Sequence, residues 1–274
     1  MCELLGLSSR LPTTVTLSMR LLAQHGNAAH HLGDGWGVAF HTGNDALVIK
    51  QPEAASDSPW VEFLEKQRVR AHSVIAHIRH ATQGEVSLRN TQPFSRELGG
   101  RMHVFAHNGK LAGIEGHFMR AHPRFRSVGT TDSEVAFCAL MERMAVLWDS
   151  GTPPAQQRVS TAAGFAVELH EYGPANFLYT DGELLIAHGH RRTQQDGRII
   201  PPGLWTLTRS CREDREGTGM AGLTLQGGQL VTLFASVPLT DEAWRPLEEG
   251  EIMVVCDGVA LPAIDKRKRA SDRR

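Results

Sequence analysis

Several features that would assign the chain to a special class of protein are scarce or missing. Its 274 residues carry a formal net charge of −1, so no overall field favours nucleic acid or a membrane surface. No run of about 18 apolar residues occurs, so no membrane span is expected. The few cysteines are far apart and form no CxxC pair: Cys2, Cys138, Cys211 and Cys256. Their spacing argues against a zinc ribbon or a disulfide scaffold and fits a reducing compartment.

The ends of the chain and its histidines also carry few signals. The first residues contain no charged leader followed by an apolar run, so we expect no secretory signal and a cytoplasmic location. The basic residues near the C-terminus predict a short solvated tail rather than a nucleic-acid arm. The histidine pairs His77/His80 and His188/His190 lack the accompanying ligands or the helical spacing of a metal site. We therefore predict no metal and no cofactor.

The order of the predicted elements indicates the fold class. Hydrophobic residues make up 41% of the chain, which is enough for a substantial core without disulfides. Strands, then helices, then strands follow without βαβ alternation, and this order predicts antiparallel sheets with helices on their faces. No internal repeat and no convincing linker is present. We predict a single α+β domain over residues 1–260 and a flexible basic tail over residues 261–274.

One helix is predicted with particular clarity. A capping box from Thr131 to Glu134 precedes an apolar stripe, which predicts a helix over residues 131–148. Further helices are predicted at residues 14–24, from Ser58-Pro59 onward with Trp60, Phe63 and Leu64 on one face, and at residues 157–170.

Turn signals and β-rich runs predict the strands. The Asp181-Gly182 pair suits a type I′ turn and predicts a hairpin. Other strands are predicted at residues 2–7, 73–78, 102–106, 176–180, 183–187, 223–226 and 229–236, with a last pair around Asp257-Gly258.

The second residue is a cysteine preceded only by the initiator Met1. Removal of Met1 would leave Cys2 with a free α-amino group, so the thiol nucleophile would carry its own base. The pKa values of an unperturbed α-amine (about 7.7–8.0) and an unperturbed thiol (about 8.5) both lie near neutrality, and N-terminal amines activate nucleophiles in this way. On its position alone, Cys2 is better explained as a small apolar residue that opens a strand, so the rest of the sequence has to support a catalytic role.

Two glycine-rich or basic segments suit ligand recognition, although each has an ordinary structural explanation. At Asp34-Gly35-Trp36-Gly37 the backbone could approach a ligand closely, but a tight turn before a strand explains it as well. Arg79 follows an apolar strand and could clamp a carboxylate with two parallel hydrogen bonds. A surface salt bridge is the alternative for Arg79.

Two further segments suit stabilisation of charge. In Phe105-Ala106-His107-Asn108-Gly109 a strand runs into an amide side chain and an unhindered backbone N–H, which together could donate to an oxyanion. Asn-Gly is also a common hairpin turn. Asp132 lies at the start of the clearest helix, where its charge could hold a substrate ammonium or simply complement the helix dipole.

Taken together and in this order, these residues resemble the class II glutamine amidotransferases, and in particular their stand-alone YafJ-like branch. The resemblance covers nearly the whole chain and is carried by these segments: MCELLG, DGWG, HIRHATQGEV, FAHNG, GTTDSE, NFLYTDGE and residues 237–240. It implies the four-layer αββα fold of the N-terminal-nucleophile hydrolases, with two antiparallel sheets flanked by helices.

The resemblance also implies roles for individual residues. Cys2 would attack the carboxamide of glutamine, with its own α-amine relaying the proton. The Asn108 side chain and the Gly109 N–H match the oxyanion hole, Arg79 the α-carboxylate anchor and Asp132 the α-ammonium anchor. Thr82 lies in the stretch that binds substrate after the arginine.

The chain departs from the family pattern at two places and shows no second domain. Gln83 and Gln92, the latter before Pro93, occupy positions where the larger family often has histidine. Family members that transfer ammonia fuse this module to a synthase, and no such acceptor region is visible here.

Three functions follow from the resemblance. The first is hydrolysis of a γ-glutamyl amide, which is either glutamine or a γ-glutamyl peptide or conjugate, through a Cys2 thioester. The alternative is a glutaminase subunit that delivers ammonia to a separate synthase, and a separate peptidase subunit is another conceivable partner. A catalytically silent regulatory protein on the same fold is the third, although Cys2, Asn108 and Asp132 are all present.

Overall fold

A computed structural model describes residues 2–14, 34–80, 84–118, 123–194, 196–210 and 228–262. The helices in these ranges are α1 (Pro59–Gln67), α2 (Ile114–Phe118), α3 (Asp132–Trp148) and α4 (Ala155–Leu169). The strands are β1 (Glu3–Thr14), β2 (Gly35–Thr42), β3 (Asp45–Gln51), β4 (Arg70–Arg79), β5 (Phe94–Leu98), β6 (Arg101–Asn108), β7 (Asn176–Thr180), β8 (Leu185–Gly189), β9 (Arg192–Thr193), β10 (Ile199–Ile200), β11 (Trp205–Ser210), β12 (Leu230–Ala235), β13 (Arg245–Pro246), β14 (Glu251–Cys256) and β15 (Val259–Ala260).

Two antiparallel sheets form the body of the protein. The seven-stranded sheet has the order β13-β11-β12-β1-β4-β2-β3, and the six-stranded sheet has the order β15-β14-β8-β7-β6-β5. Strand β1 lies in the interior of the first sheet, between β12 and β4, with Glu3 opposite Ile78. A separate two-stranded ribbon joins β9 to β10.

The sheets pack face to face and each carries helices on its outer side. Side chains from both sheets, such as Leu4 and Leu178, fill the core between them. The neighbouring Leu5 points the other way and joins the outer core under α1, as the alternation along a strand requires. On the opposite outer face, α3 and α4 bury aromatic side chains against the second sheet. The α+β fold of four αββα layers is therefore confirmed.

The apolar residues of α1 divide between the core and the surface. Val61 is fully buried and Leu64 nearly so, but Trp60 is 49% exposed and Phe63 is 48% exposed. The two exposed rings contact each other edge to face, with centroids 6.0 Å apart. Trp60 and Phe63 thus lie side by side, as predicted for residues on one face, but Val61 and Leu64 are the side chains that pack into the outer core.

The turn chemistry also differs from the prediction. Strands β7 and β8 do form a hairpin, but Asp181 does not have the positive φ that a type I′ turn requires. Its buried carboxylate instead accepts the N–H groups of Glu183 and Leu184 and binds Arg158. Positive φ at both turn positions occurs instead at Asp257-Gly258, between β14 and β15, and at Gly99-Gly100, between β5 and β6.

The other predicted elements that lie in the described residues agree with the structure to within a few residues, apart from the first strand. The strand predicted at residues 2–7 continues to residue 14, and the helix predicted at 157–170 begins two residues earlier. The predictions at residues 14–24 and 223–226 fall largely or wholly outside the described residues. Within the described ranges, none of the helices combines the length and apolar character that a membrane crossing requires.

The capping interaction at the start of α3 is only half of the predicted capping box. Thr131 Oγ1 accepts the Glu134 N–H, as predicted for an N-cap. The Glu134 carboxylate, however, accepts the N–H groups of Val128 and Gly129 and pairs with Arg96 at 2.6 Å. Glu134 therefore holds the loop before the helix rather than the cap residue itself.

Replacing Thr131 with alanine is expected to lower the free energy of unfolding by about 1 kcal/mol, because the N-cap acceptor is lost. Urea unfolding followed by circular dichroism measures this change. Thr131→Ser is the matched control, since it keeps the hydroxyl and should retain most of the stability. Equal stability of the alanine and serine variants would show that the cap contributes nothing.

Candidate active site

The Cys2 thiol lies beside the end of β4. Cys2 immediately precedes β1, and the β1–β4 register carries its side chain to the level of Arg79 and His80. Cys2 Sγ accepts the His80 N–H at 3.3 Å and lies 3.5 Å from the His80 carbonyl oxygen. Burial raises the pKa of Cys2, although the hydrogen bond from His80 acts in the opposite direction. A thiol placed here needs a base before it can act as a nucleophile at neutral pH.

Asn108 faces Cys2 from the other sheet. It is the last residue of β6 and is 8% exposed. Its side-chain Nδ2 donates to the Cys2 carbonyl oxygen at 2.6 Å and lies 3.4 Å from Ser236 Oγ. The structure thus brings the predicted nucleophile and the predicted oxyanion-hole amide into direct contact.

Gly109 continues from Asn108 into a loop rather than a hairpin. The neighbours of β6 in the sheet are β5 and β7, so the chain does not turn back at Asn108-Gly109. A Cβ atom at residue 109 would lie 1.8 Å from the carbonyl oxygen of Pro174. Only glycine fits this approach, and the hairpin alternative for Asn108-Gly109 is excluded.

Arg79 ends β4 and is 4% exposed, so it is not a surface residue. Its Nη1 donates to the Glu85 carbonyl oxygen at 3.1 Å, and its Nη2 donates to that of Gly84 at 3.2 Å. The guanidinium therefore helps to hold the loop that follows β4. Thr82, the other predicted binding residue on this loop, lies outside the described residues.

Asp132 connects α3 with the loop after Asn108-Gly109. Its Oδ2 accepts the Leu111 N–H at 2.7 Å, and its Oδ1 accepts the Ser133 N–H at 2.7 Å. Ser133 Oγ also lies 2.9 Å from His107 Nδ1. Asp132 is thus held close to the Asn108-Gly109 segment, as a substrate-binding carboxylate in this site would have to be.

Asn90 joins the Arg79 loop to the segment that leads to Asp132. It is fully buried, its Nδ2 donates to the Glu85 carbonyl oxygen at 3.1 Å, and its Oδ1 accepts the Thr130 N–H at 2.8 Å. A side chain at Gly129 would collide with it, since a Cβ there would lie 2.3 Å from Asn90 Oδ1. Sequence reasoning missed Asn90, because no motif or periodicity marks it.

Gln92 fills one of the positions where the sequence departs from the family pattern. Its amide pairs with the backbone of His107 in both directions. Oε1 accepts the His107 N–H at 2.6 Å, and Nε2 donates to the His107 carbonyl oxygen at 3.0 Å. Because His107 precedes Asn108, these two buried hydrogen bonds fix the strand end that presents the Asn108 amide.

A second set of buried polar residues was missed. Arg192 Nη2 pairs with Glu3 Oε1 at 2.9 Å, next to Cys2 in the chain. Ser236 Oγ accepts the Leu4 N–H at 2.9 Å and reaches toward Asn108. Glu3 belongs to the MCELLG segment, but nothing in the sequence indicated that its partner would be Arg192.

His170, at the end of α4, forms a cluster with His188 of β8 and with His190 just after it. His170 and His190 stack with ring centroids 4.0 Å apart, and the Nε2 atoms of His170 and His188 are 3.1 Å apart. His190 also lies 3.4 Å from a carboxylate oxygen of Glu249. Among the described residues, no group of three or more histidine, cysteine or carboxylate side chains could hold a metal ion.

The free energy of unfolding should fall as the pH drops from about 6.5 toward 4. Burial lowers the pKa of His188 to about 3, so the unfolded chain takes up a proton in this range that the folded chain does not. One such histidine changes the free energy of unfolding by at most about 1.4 kcal/mol per pH unit. Urea unfolding at pH 7.5, 6 and 5 should show a shallower slope for His188→Gln than for the unchanged chain. Identical slopes would contradict a neutral, buried His188.

Comparison with known proteins agrees with this architecture. The family model of the class II glutamine amidotransferases matches residues 1–274. The Escherichia coli (strain K12) protein YafJ, whose name assigns it provisionally to the glutamine amidotransferases, is 36% identical over 260 residues. That match covers 94% of this chain and 98% of YafJ. A crystal structure of a predicted glutamine amidotransferase from Pseudomonas aeruginosa PA01 is 31% identical, with a TM-score of 0.69, and covers 96% of this chain and 100% of that one.

Two antiparallel sheets pack face to face, and a cysteine precedes a strand in the interior of one of them. This architecture is the fold of the N-terminal-nucleophile hydrolases. Within that class, the chain belongs to the class II glutamine amidotransferases, and it resembles their YafJ-like members. The Bacillus subtilis glutamine phosphoribosylpyrophosphate amidotransferase has the same fold, with a TM-score of 0.58 at 16% identity. The match covers 95% of this chain but only 48% of that enzyme.

Proposed function

We propose that the chain hydrolyses a γ-glutamyl amide, either glutamine or a γ-glutamyl peptide or conjugate, through a thioester on Cys2. The observation that carries this proposal is the contact between Cys2 and Asn108, whose amide lies 2.6 Å from the Cys2 carbonyl oxygen. Acyl transfer needs a hydrogen-bond donor beside the nucleophile, within reach of the oxygen that develops the negative charge, and this contact places the Asn108 amide next to the residue that carries the thiol.

Activation of the thiol begins with removal of Met1. The freed α-amine of Cys2 takes the proton from Sγ, and the sulfur attacks the γ-carbonyl carbon of the substrate. The raised pKa of the buried thiol makes such a base necessary. The carbonyl π bond breaks as the C–S bond forms, and its electron pair moves to oxygen.

The oxyanion then accepts hydrogen bonds from the Asn108 side chain and the Gly109 N–H. One Asn108 hydrogen is committed to the Cys2 carbonyl oxygen, while the other makes only the long 3.4 Å contact with Ser236 Oγ. We assign the oxyanion to this second hydrogen. Collapse of the intermediate breaks the C–N bond, and the α-ammonium group of Cys2 protonates the departing nitrogen.

Hydrolysis of the thioester completes the reaction. The α-amine deprotonates a water molecule, which attacks the acyl carbon, and the C–S bond breaks to release glutamate and regenerate the thiol.

Recognition of the glutamyl head group requires one cation and one anion. Arg79 would pair with the α-carboxylate and Asp132 with the α-ammonium, and Thr82 would contribute from the loop between them. Both Arg79 and Asp132 are buried and held by backbone hydrogen bonds, which favours a fixed geometry. A buried polar site of this kind rejects analogues that lack either charge.

A second candidate is a glutaminase subunit that passes ammonia to a separate synthase. It is favoured by the shared fold with the Bacillus subtilis amidotransferase, of which the match covers 48%. This function predicts weak hydrolysis of free glutamine that rises when the partner is added. The single domain over residues 1–260 and the cytoplasmic location remain predictions.

A panel assay distinguishes these functions. Steady-state release of glutamate from glutamine and from γ-glutamyl dipeptides should identify a preferred leaving group, and a glutamine-analogue diazoketone should label Cys2. Failure of every γ-glutamyl compound to react, together with absence of labelling, would favour the catalytically silent alternative.

A further inference from the structure

A buried ion pair lies behind the predicted nucleophile, at the first residue of β1. The Arg192 side chain is 6% exposed and that of Glu3 is 1% exposed, and their charged atoms are 2.9 Å apart. Arg192 Nη1 also donates to the Ser236 carbonyl oxygen. Buried ion pairs seldom stabilise a fold more than apolar residues of the same size would. The position of this pair therefore calls for an explanation other than stability.

Ser236 extends the pair toward the oxyanion residue. Its backbone N–H donates to the Leu4 carbonyl oxygen at 3.1 Å, while its Oγ accepts the Leu4 N–H at 2.9 Å. The same Oγ lies 3.4 Å from Asn108 Nδ2. Ser236 is fully buried, so it holds the start of β1 and meets the catalytic amide without access to solvent.

Asn176 provides a second connection between the same two parts of the site. Its Nδ2 donates to the Asn108 carbonyl oxygen at 3.0 Å and to that of Arg191 at 2.6 Å. Its Oδ1 accepts the His190 N–H at 2.7 Å. The chain segment that carries Arg192 is therefore tied to the Asn108 backbone as well as to the Glu3 side chain.

We propose that Glu3, Arg192 and Ser236 form a positioning cluster that sets the distance between Cys2 and the Asn108 amide. The inference rests on the proposed function, because it concerns how the nucleophile and the oxyanion hole are held together. None of the three would touch substrate. Each acts through the start of β1 or through the Asn108 side chain.

The expected signature is a loss of kcat without a loss of substrate binding. In Glu3→Gln, Arg192→Lys and Ser236→Ala, kcat should fall about 10- to 100-fold, because a displacement near 1 Å suffices for such a loss. KM should stay nearly constant, since Arg79 and Asp132 are untouched. Alkylation of Cys2 by iodoacetamide should not slow, because that reaction forms no oxyanion.

The chain offers a matched control in a second buried ion pair. Arg158 Nη1 lies 2.7 Å from Asp181 Oδ2, with side chains 3% and 0% exposed, on α4 and at the β7–β8 turn. Arg158→Lys should lower thermal stability as Arg192→Lys does but leave kcat unchanged. Equal kcat values for the two lysine variants, or a rise in KM at constant kcat, would overturn the proposal.

An NMR measurement tests the positioning role without any enzymatic assay. The chain has five asparagines, so selective ¹⁵N-asparagine labelling gives five side-chain amide pairs, and Asn108→Asp identifies the pair of interest. In Glu3→Gln the Asn108 amide hydrogens should shift upfield and exchange faster, because the short bond to Cys2 is weakened. In Arg158→Lys they should not move.

The two readouts separate the two proposals. If the unchanged chain hydrolyses no γ-glutamyl compound, the proposed function fails, and the Asn108 amide resonances still decide whether the cluster positions the amide. If hydrolysis is present but these resonances are the same in Glu3→Gln as in the unchanged chain, the positioning role is wrong while the proposed function stands.

Discussion

Replacing Cys2 with alanine is expected to abolish hydrolysis of γ-glutamyl amides, with a loss in kcat of about 10,000-fold or more. Without the thiol no thioester forms, and water would have to attack the amide directly. The other described cysteines cannot substitute, since Cys138 is packed in the outer core at α3 and Cys256 lies at the end of β14. Glutamate release under saturating substrate measures the loss.

Cys256→Ala is the matched control for this variant. Cys256 is a free, partly exposed cysteine like Cys2, but it lies at the end of β14 and packs against the outer core under α3 and α4. Its replacement should leave kcat unchanged. Full activity in Cys2→Ala, or an equal loss in both variants, would remove Cys2 from the mechanism.

Asn108→Ala is expected to lower kcat by about 100- to 1,000-fold, the cost of removing one oxyanion donor. KM should change little, because Arg79 and Asp132, the proposed anchors of the glutamyl head group, remain. Asn108→Asp should lower kcat further, since it replaces the donor with a carboxylate that repels the developing oxyanion. Steady-state kinetics of both variants, with folding checked by circular dichroism, supply the measurement.

The control for Asn108 is Asn44, which lies in the exposed turn between β2 and β3. Asn44→Ala should retain the full kcat. If Asn108→Ala raised KM and left kcat intact, Asn108 would bind substrate rather than stabilise the oxyanion.

Local sequence patterns predicted much of the fold because they depend on neighbours in the chain. The Thr131 cap, the apolar stripe of α3 and the β7–β8 hairpin all follow from residues within a few positions of one another. The same holds for the ends of β4 and β6, where Arg79 and Asn108 appear as polar residues after apolar runs.

The incorrect predictions arose where tertiary contacts override local preference. Asp181-Gly182 has the composition of a type I′ turn, but Asp181 is buried and bound to Arg158, so the turn takes another form. The capping box at Thr131 is only half formed, because the Glu134 carboxylate accepts the Val128 N–H and pairs with Arg96.

The supporting residues of the site were beyond sequence reasoning because their partners are distant in the chain. Glu3 pairs with a residue 189 positions away, and Leu4 binds Ser236 at a separation of 232. No short motif contains both members of such a pair. Asn90 and Gln92 likewise act through single side chains that have no periodic pattern.

The most direct test of the proposed mechanism is the mass of the N-terminal peptide after the enzyme is mixed with substrate and quenched in acid. If Cys2 is the nucleophile, the peptide begins at Cys2 and a fraction of it carries the mass of one γ-glutamyl group, which disappears in Cys2→Ala. Retention of Met1 on an active enzyme, or a γ-glutamyl group on any other residue, would contradict the mechanism.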